Sequence, residues 1–194
     1  MRKNLLLAGL ALFISSAAGA AVYDIDGSHS QVAFKIRHLV GRVPGRFLKF
    51  SGTITYDPAK PASWSVSATI DPASVNTDNE KRDGHLKNPD FFDTAQCATM
   101  TFKSSKVTDV KESTAKLHGD LTMHCVTKPV VLDLELGGSA KDPWGNERAG
   151  FSAKGKINRK DFGMVFNKVL DAGGLMLGEE VDVTIDIEAV AKSK

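Results

Sequence analysis

Histidine, arginine and aspartate side chains that could take part in chemistry lie in two short stretches of the chain. His38 ends an alternating stretch, and Arg82, Asp83 and His85 lie together on a predicted helix. His38 or His85 with Asp83 would be the pair for proton transfer, because a histidine oriented by a carboxylate titrates near neutral pH. The linear motifs of nucleophilic, zinc-dependent, redox and nucleotide-binding enzymes are missing from the sequence. The sequence therefore predicts a protein that is not an enzyme, without catalytic residues.

The same basic side chains have other interpretations. His38 lies on the apolar side of its stretch, where it is either a core residue with a satisfied hydrogen bond or a partner for the head group of a ligand. Arg82 and His85 either hold the helix against the rest of the fold or contact such a head group. Both alternatives stay open for all three residues.

A second group of possible metal ligands occurs on one polar face. His118, Asp120 and His124 share the polar side of a single predicted strand. Their spacing matches no specific metal site, and a solvated face explains them. We therefore expect no metal and no cofactor.

Alternation of apolar and polar residues dominates the chain and is typical of half-buried β-strands. Val32, Phe34 and Ile36 share one face with His38, while a lysine and an arginine between them take the other. Eight stretches show this pattern, with apolar rows at 32–38, 50–56, 64–70, 98–102, 117–123, 130–136, 151–157 and 181–187. Consecutive antiparallel strands with short turns predict a β-sandwich or a closed barrel.

One helix and one long loop interrupt the predicted strands. Residues 77–80 (TDNE) have the pattern of a capping box, and Pro89 ends the helical segment. The loop at 162–178 is apolar and contains four glycines. Because loops are usually polar, an apolar loop needs a surface to cover. It either plugs one end of the fold or forms a lid or mouth for an apolar ligand.

The first twenty residues have the composition of a signal peptide. Arg2 and Lys3 are followed by an apolar run of about ten residues, too short to span a membrane, and by small residues at 18–20. The sequence predicts a signal peptide over 1–20, one domain over 21–194 and a secreted protein. Without Arg2 and Lys3, the 25 basic residues fall to 23 and equal the 23 acidic ones. This neutrality argues against a nucleic-acid partner.

The two cysteines, Cys97 and Cys125, are a possible disulfide in an oxidising compartment. They end a predicted hairpin whose symmetric register places them opposite each other but sets Met100 against Thr122. A shift of one residue aligns the apolar faces and separates the cysteines. A bulge near Cys97 would reconcile the two registers. The disulfide is therefore a hypothesis.

The size of the inward side chains decides whether an eight-stranded barrel is filled by its own side chains or encloses a ligand. Six of them are predicted to face inward: Gly52, Ala68, Ala98, Gly119, Ala153 and Gly155. They either leave room for a ligand or let the strands bend and close. Strands of about ten residues span roughly 33 Å, which suits a long chain. Such a chain needs few polar contacts, because each buried CH₂ contributes about 0.8 kcal/mol.

Ordered segments along the chain resemble one family, the YceI-like lipid- and polyisoprenoid-binding proteins of bacteria. The resemblance covers roughly residues 22–191. Its segments are 26–30 (DGSHS), 34–38 (FKIRH), 50–52 (FSG), 82–86 (RDGHL), 90–93 (DFFD), 119–122 (GDLT), 126–130 (VTKPV), 142–145 (DPWG), 148–151 (RAGF), 158–163 (NRKDFG) and 178–181 (GEEV). The chain departs from the family pattern at Cys97, where an aromatic residue is usual, and at Cys125, where glycine is common.

The resemblance implies a lipocalin-like antiparallel eight-stranded β-barrel with one short helix across an end. It also implies a periplasmic protein that carries a polyisoprenoid or quinone-related lipid in a tunnel. The alternatives are a module that docks its apolar loop on a membrane or membrane protein and, as a third reading, a hydrolytic enzyme. The sequence leaves the oligomeric state open. The predicted ligand-binding residues are Phe34, Ile36, His38, Gly52, Ala68, Arg82, His85, Leu86, Phe102, Gly119, Leu121, Ala153, Gly155, Phe162 and Phe166.

Overall fold

Strands account for most of the chain after the predicted signal peptide. The computed structural model describes residues 20–171 and 173–192, so that signal peptide lies outside the described residues except for Ala20. Within them, α1 spans Glu80–Leu86, and short 3₁₀ helices span Pro61–Ser63, Pro72–Ser74 and Arg159–Phe162. The strands are β1 Ala21–Ile25, β2 Gln31–His38, β3 Gly41–Phe47, β4 Phe50–Tyr56, β5 Ser65–Ile70, β6 Val75–Asn76, β7 Met100–Thr108, β8 Thr114–Met123, β9 Val126–Lys141, β10 Glu147–Asn158 and β11 Leu177–Ala191.

Eight of these strands form a closed antiparallel ring. Their order is β1-β4-β5-β7-β8-β9-β10-β11, and β11 returns to pair with β1. Tyr23 of β1 lies opposite Ile54 of β4 on one side and opposite Ala191 of β11 on the other. Closure removes the free edges that an open sheet would expose. The predicted eight-stranded barrel with one short helix is therefore confirmed.

The membership of the ring differs from the eight stretches identified in the sequence. β1 pairs with β11 at residues 189–191, and β2 pairs with the same edge of β11 at residues 177–186. β3 then pairs with β2, and β6 pairs with β3. The sequence placed β2 among the eight and did not identify β1, β3 or β6. β1 and β6 are short, and β3 contains Pro44 and Gly45, residues that are depleted in strands.

The alternation places most of the apolar rows inside the barrel, as predicted, but the predicted inward position of Ala98 is wrong, because Ala98 precedes β7 and is exposed. In β8, Ala115, Leu117, Leu121 and Met123 are buried, whereas the charged and hydroxyl side chains between them are exposed or half-buried. Buried side chains from the other strands complete the interior, among them Phe47, Ile70, Met100, Leu132 and Ile157.

The helix begins two residues later than the capping-box pattern indicated. Asn79 is the N-cap, and its side-chain oxygen accepts a hydrogen bond from the Arg82 backbone N–H at 3.0 Å. Thr77 instead donates its hydroxyl and its backbone N–H to the Asp83 carboxylate. Asn79 is at least as good an N-cap as threonine, which explains the later start. Among the described residues, no helix has the length and apolarity to cross a membrane.

The Cys97–Cys125 disulfide is present, with the Cα atoms 5.3 Å apart. The strands pair in the apolar register, with Phe102 opposite Leu121. Cys97 precedes β7, and Cys125 lies in the β8–β9 turn with a positive φ, so neither cysteine belongs to the ladder. The two requirements are reconciled without a bulge near Cys97, and the register of the ladder shifts between Ser104 and Lys106.

Replacing both cysteines by alanine should lower the free energy of unfolding. Closing a chain segment between residues 28 apart contributes about 3.5 kcal/mol in the chain-entropy model. Urea denaturation of the wild type and the double variant, each with and without reductant, measures this effect. The reductant should shift only the wild type. A wild-type midpoint that is insensitive to reductant, with both thiols labelled in native protein, would contradict the bond.

Candidate functional site

The barrel encloses a cavity of about 450 Å³. That volume lies within the range of roughly 300–1,000 Å³ that is usual for ligand-binding pockets. Every ring strand contributes inward side chains to its wall, as do β2 and β3, and most of these side chains are apolar. The interior is therefore not filled by its own side chains.

Three aromatic residues of the wall pack together in a cluster separate from the one that contains Leu86 of α1. The Tyr56 ring lies 4.9 Å from the Trp64 ring and 5.3 Å from the Phe151 ring, centroid to centroid. The Trp64 indole N–H donates to the Asp57 carbonyl, so its polar atom is satisfied. Burial raises the pKa of the Tyr56 hydroxyl, which therefore stays neutral at physiological pH.

Basic side chains gather at one end of the cavity, beside α1 and the loop at 163–176. The cavity wall there includes five of them, which we call the basic end: His38, Arg82, His85, Arg159 and Lys168. Backbone contacts join their segments. His38 lies opposite Leu177 in the β2–β11 ladder, and the Met176 N–H donates to the Lys168 carbonyl at 2.9 Å.

Arg82 and His85 on α1 both have protein partners. Arg82 donates from Nε to the Thr77 hydroxyl at 2.7 Å and from Nη2 to the Thr77 carbonyl at 2.8 Å. His85 Nε2 lies 2.9 Å from the Asp90 carboxylate, and its ring stacks edge-on against Phe166 at 5.0 Å. These contacts fix α1 across the end of the barrel, and both side chains still face the cavity.

Arg159 is a part of the site that the sequence prediction did not include. It is 2% exposed, and it donates from Nε to the Gly178 carbonyl at 2.9 Å and from Nη1 to the Met164 carbonyl. Burial lowers the pKa of the guanidinium. The inward row of β10 runs through odd-numbered residues to Ile157, and Arg159 continues that parity. This continuation was the signal that could have identified it.

Most of the predicted ligand-binding residues lie in the cavity wall. Eleven of them do so: Phe34, Ile36, His38, Ala68, Arg82, His85, Leu86, Phe102, Leu121, Ala153 and Phe166. Four predicted residues are not part of the wall: Gly52, Gly119, Gly155 and Phe162. Phe162 is 1% exposed and packs in the core beneath the wall.

The three glycines sit where neighbouring atoms approach the backbone, so they do not create the cavity. A Cβ on Gly119 would lie 2.5 Å from the Phe102 ring, which covers that position from the adjacent strand. A Cβ on Gly52 would lie 2.5 Å from the Ser67 carbonyl, and one on Gly155 would lie 2.6 Å from the Leu132 side chain. The wall is set instead by Ala68, Ala153 and the larger side chains around them.

The apolar loop that precedes β11 covers the basic end. Met164, Phe166 and Met176 face the cavity, while Val165 and Val169 are 66% and 77% exposed. The Asn167 side chain ties the loop to β11 through both the N–H and the carbonyl of Leu177. The loop thus combines the features of a plug and of a mouth.

The polar row on β8 does not converge on one site. His118 Nε2 lies 2.9 Å from the Thr108 hydroxyl, and His124 Nδ1 lies 2.8 Å from the Phe162 carbonyl. Asp120 is exposed on the barrel surface. The two histidines therefore have separate, local structural partners.

A family model described as the YceI-like domain matches residues 23–189. Protein YceI of Escherichia coli O157:H7 is 43% identical, and the match covers 98% of each chain. This chain belongs to the YceI-like family. The YceI protein of Campylobacter jejuni is similar in structure, with 37% identity, a TM-score of 0.70 and coverage of 81% of this chain and 90% of that one. A polyisoprenoid binding domain from Saccharophagus degradans shares the fold, with 18% identity, a TM-score of 0.66 and coverage of 89% and 99%.

Several segments that carry the YceI-like resemblance meet at one ionic cluster. The Arg148 guanidinium contacts the carboxylates of Asp26, Asp142 and Glu188. Asp26 also accepts hydrogen bonds from Ser28 and lies 2.8 Å from His29 Nδ1. Asp26, His29 and Glu188 are close enough to hold a metal ion, but both carboxylates already accept hydrogen bonds from Arg148, and Asp26 also accepts from Ser28. The cluster joins the β1–β2 and β9–β10 turns to β11.

Hydrogen bonds shift two carboxyl groups of this YceI-like cluster toward the ionised form. Ser28, His29 and Arg148 hold the pKa of Asp26 well below its usual range. Asn146 and then Arg148 lower the pKa of Asp142 to about 2. Because both groups bind protons more weakly in the native state, the cluster contributes stability above the unfolded-state pKa of about 3.9, and this contribution is lost as the pH falls toward 2.

We expect Arg148→Met to lower the urea midpoint at neutral pH and to reduce the loss of stability between about pH 4 and pH 2. The carboxyl pKa values would then lie closer to those of the unfolded chain. Urea titrations at several pH values measure both effects. Lys156→Met, which removes an exposed pair with Glu180, is the control and should change little. Parallel stability–pH curves for wild type and Arg148→Met would contradict this role.

Proposed function

We propose that the protein binds a long apolar lipid, a polyisoprenoid or a quinone-related molecule, inside the barrel and carries it in the periplasm. The observation that carries this proposal is the cavity of about 450 Å³ with an almost wholly apolar wall. A dry apolar cavity attracts apolar ligands, because each buried CH₂ contributes about 0.8 kcal/mol. The polyisoprenoid binding domain that shares the fold supports the same ligand class.

The contacts of the possible proton-transfer residues favour binding over catalysis. Asp83 accepts from the N–H and the hydroxyl of Thr77, and His85 pairs with Asp90 rather than with Asp83. No described hydrogen bond joins His38 to a carboxylate, and so the pairs considered from the sequence are not assembled. The proposal therefore assigns no catalytic residue and no cofactor other than the lipid.

The periplasmic location is part of the proposal. It is supported by the signal peptide predicted over residues 1–20 and by the Cys97–Cys125 disulfide, since disulfides persist in oxidising compartments. A carrier in the periplasm would exchange its lipid with a membrane.

Ala153→Phe should weaken the binding of a long-chain isoprenoid alcohol at least about tenfold while the barrel stays folded. The added ring occupies space that two or more CH₂ groups of the ligand would fill, each worth about 0.8 kcal/mol. Fluorescence titration of delipidated protein measures the affinity, and circular dichroism reports the fold.

Lys154→Phe is the matched control, because Lys154 is the next residue of β10 and points outward. It should bind as the wild type does. Unchanged affinity in folded Ala153→Phe would place the ligand outside this cavity. The predicted inward position Gly119 is unsuitable for this experiment, since any side chain there meets Phe102.

An exposed apolar surface at the basic end supports transient membrane contact as the second part of the proposal. Leu39, Val40, Val165 and Val169 are all exposed there. The Leu39 N–H donates to the Met176 carbonyl at 2.8 Å, so the β2–β3 turn and the loop lie side by side. Apolar side chains around the mouth of a lipid cavity suit a bilayer surface.

Val165→Ser combined with Val169→Ser should slow the transfer of lipid from phosphatidylcholine vesicles to the protein, with little change in the affinity for dissolved lipid. The substitutions remove apolar surface that would enter the bilayer but leave the wall intact. Val131→Ser, at an exposed position on the barrel side, is the control. Equal transfer rates for all three proteins would contradict docking through this loop.

A further inference from the structure

We infer that the basic end is a head-group subsite for an anion, a carboxylate or a phosphate ester, at the end of the bound lipid, with Arg159 as its principal partner. This inference rests on the proposed lipid-binding function. It adds the chemical class of the head group, which the apolar wall alone does not determine.

The charge of the cavity wall is one-sided. The wall includes the three cations Arg82, Arg159 and Lys168 and the two histidines His38 and His85. Among the described residues, it includes no aspartate or glutamate. Arg159 is buried, so solvent screens its charge poorly, whereas Arg82 and Lys168 are exposed at the rim and add a weaker positive potential. An anionic head group would gain more from that potential than a neutral one, and a cationic head group would be repelled.

Arg159 is the buried member of this set, and it is incompletely paired. Its Nη2 is buried without a hydrogen-bond partner, while Nε and Nη1 donate to backbone carbonyls. The nearby Glu179 carboxylate is paired with Lys160 at the surface. Burying a guanidinium without a counter-ion is unfavourable, and arginine stays protonated rather than releasing its charge. An anion in the cavity would supply the missing partner.

The position of Arg159 suits a ligand whose tail fills the barrel. Arg159 follows the last inward residue of β10, where the apolar wall ends and the loop begins. The Arg159 Nε–H donates a hydrogen bond to the Gly178 carbonyl. The preceding residue, Leu177, lies opposite His38 in the β2–β11 ladder. A head group beside Arg159 therefore leaves the tail directed along the wall toward Trp64 and Phe151.

The test compares ligands that share one tail and differ only in the head. Delipidated full-length mature protein is titrated with oleic acid, oleyl phosphate, oleyl alcohol and methyl oleate at about pH 8.5, well above the pKa of a carboxyl group. Hydrogen bonds to charged groups are stronger than neutral ones, so the two anions should bind at least about tenfold more tightly than the alcohol and the ester. The ratio of acid to phosphate distinguishes a fatty-acid head from a phosphate head.

Arg159→Gln should abolish this preference by weakening the anions alone, and Arg159→Lys should retain part of it. Lys154→Gln on the outer face is the control. Because a buried substitution can prevent folding, Lys168→Gln and Arg82→Gln at the rim are measured as well and should each reduce the preference. The wild-type series is informative without any variant.

Equal affinity of the wild type for all four heads would overturn the anionic subsite and leave lipid binding intact. A preference that survives in folded Arg159→Gln would overturn the role of Arg159. Failure of all four ligands, and of a long isoprenoid alcohol, to bind would overturn the proposed function itself.

Discussion

Strand β11 holds the structure together because it pairs with three other strands. β10 lies along one edge over nearly its whole length, and the other edge is shared by β2 at 177–186 and by β1 at 189–191. Pairing with β1 closes the barrel, while pairing with β2 fixes a second apolar row against the same interior. The loop before β11 and Arg159 at the end of β10 are thereby brought to one end of the cavity. The wall, the mouth and the basic end all depend on this shared edge.

Closure of the barrel also explains how one molecule offers two environments. Along the strands the interior is apolar, so water gains few hydrogen bonds there and a long chain gains burial. At the basic end, α1, the 3₁₀ helix after β10 and the loop before β11 supply cations that the apolar rows of the strands lack. A ligand that is apolar along its length and acidic at one end matches both regions. The exposed valines of the loop then face the surface from which such a ligand would be taken.

The sequence predicted the features that local alternation determines. The parity of His38, Phe102 and Ala153 placed them correctly on the inner face, and the apolar register of β7 and β8 follows from the same rule. The side chain that fills the space above each small residue could not be predicted from alternation. Gly119 appeared to leave space, but a ring from the neighbouring strand occupies it. Arg159 was missed because a charged residue at a strand end resembles a solvated terminus, although it continues the inward parity of β10 and the closed barrel buries it.

The most direct test of lipid binding in the barrel is native mass spectrometry of protein purified from the periplasm, followed by organic extraction. The account predicts a complex with one long-chain lipid per barrel, lost on delipidation and restored by adding the extracted molecule. A monodisperse protein that carries no lipid, and that takes up no added isoprenoid or fatty acid, would contradict it.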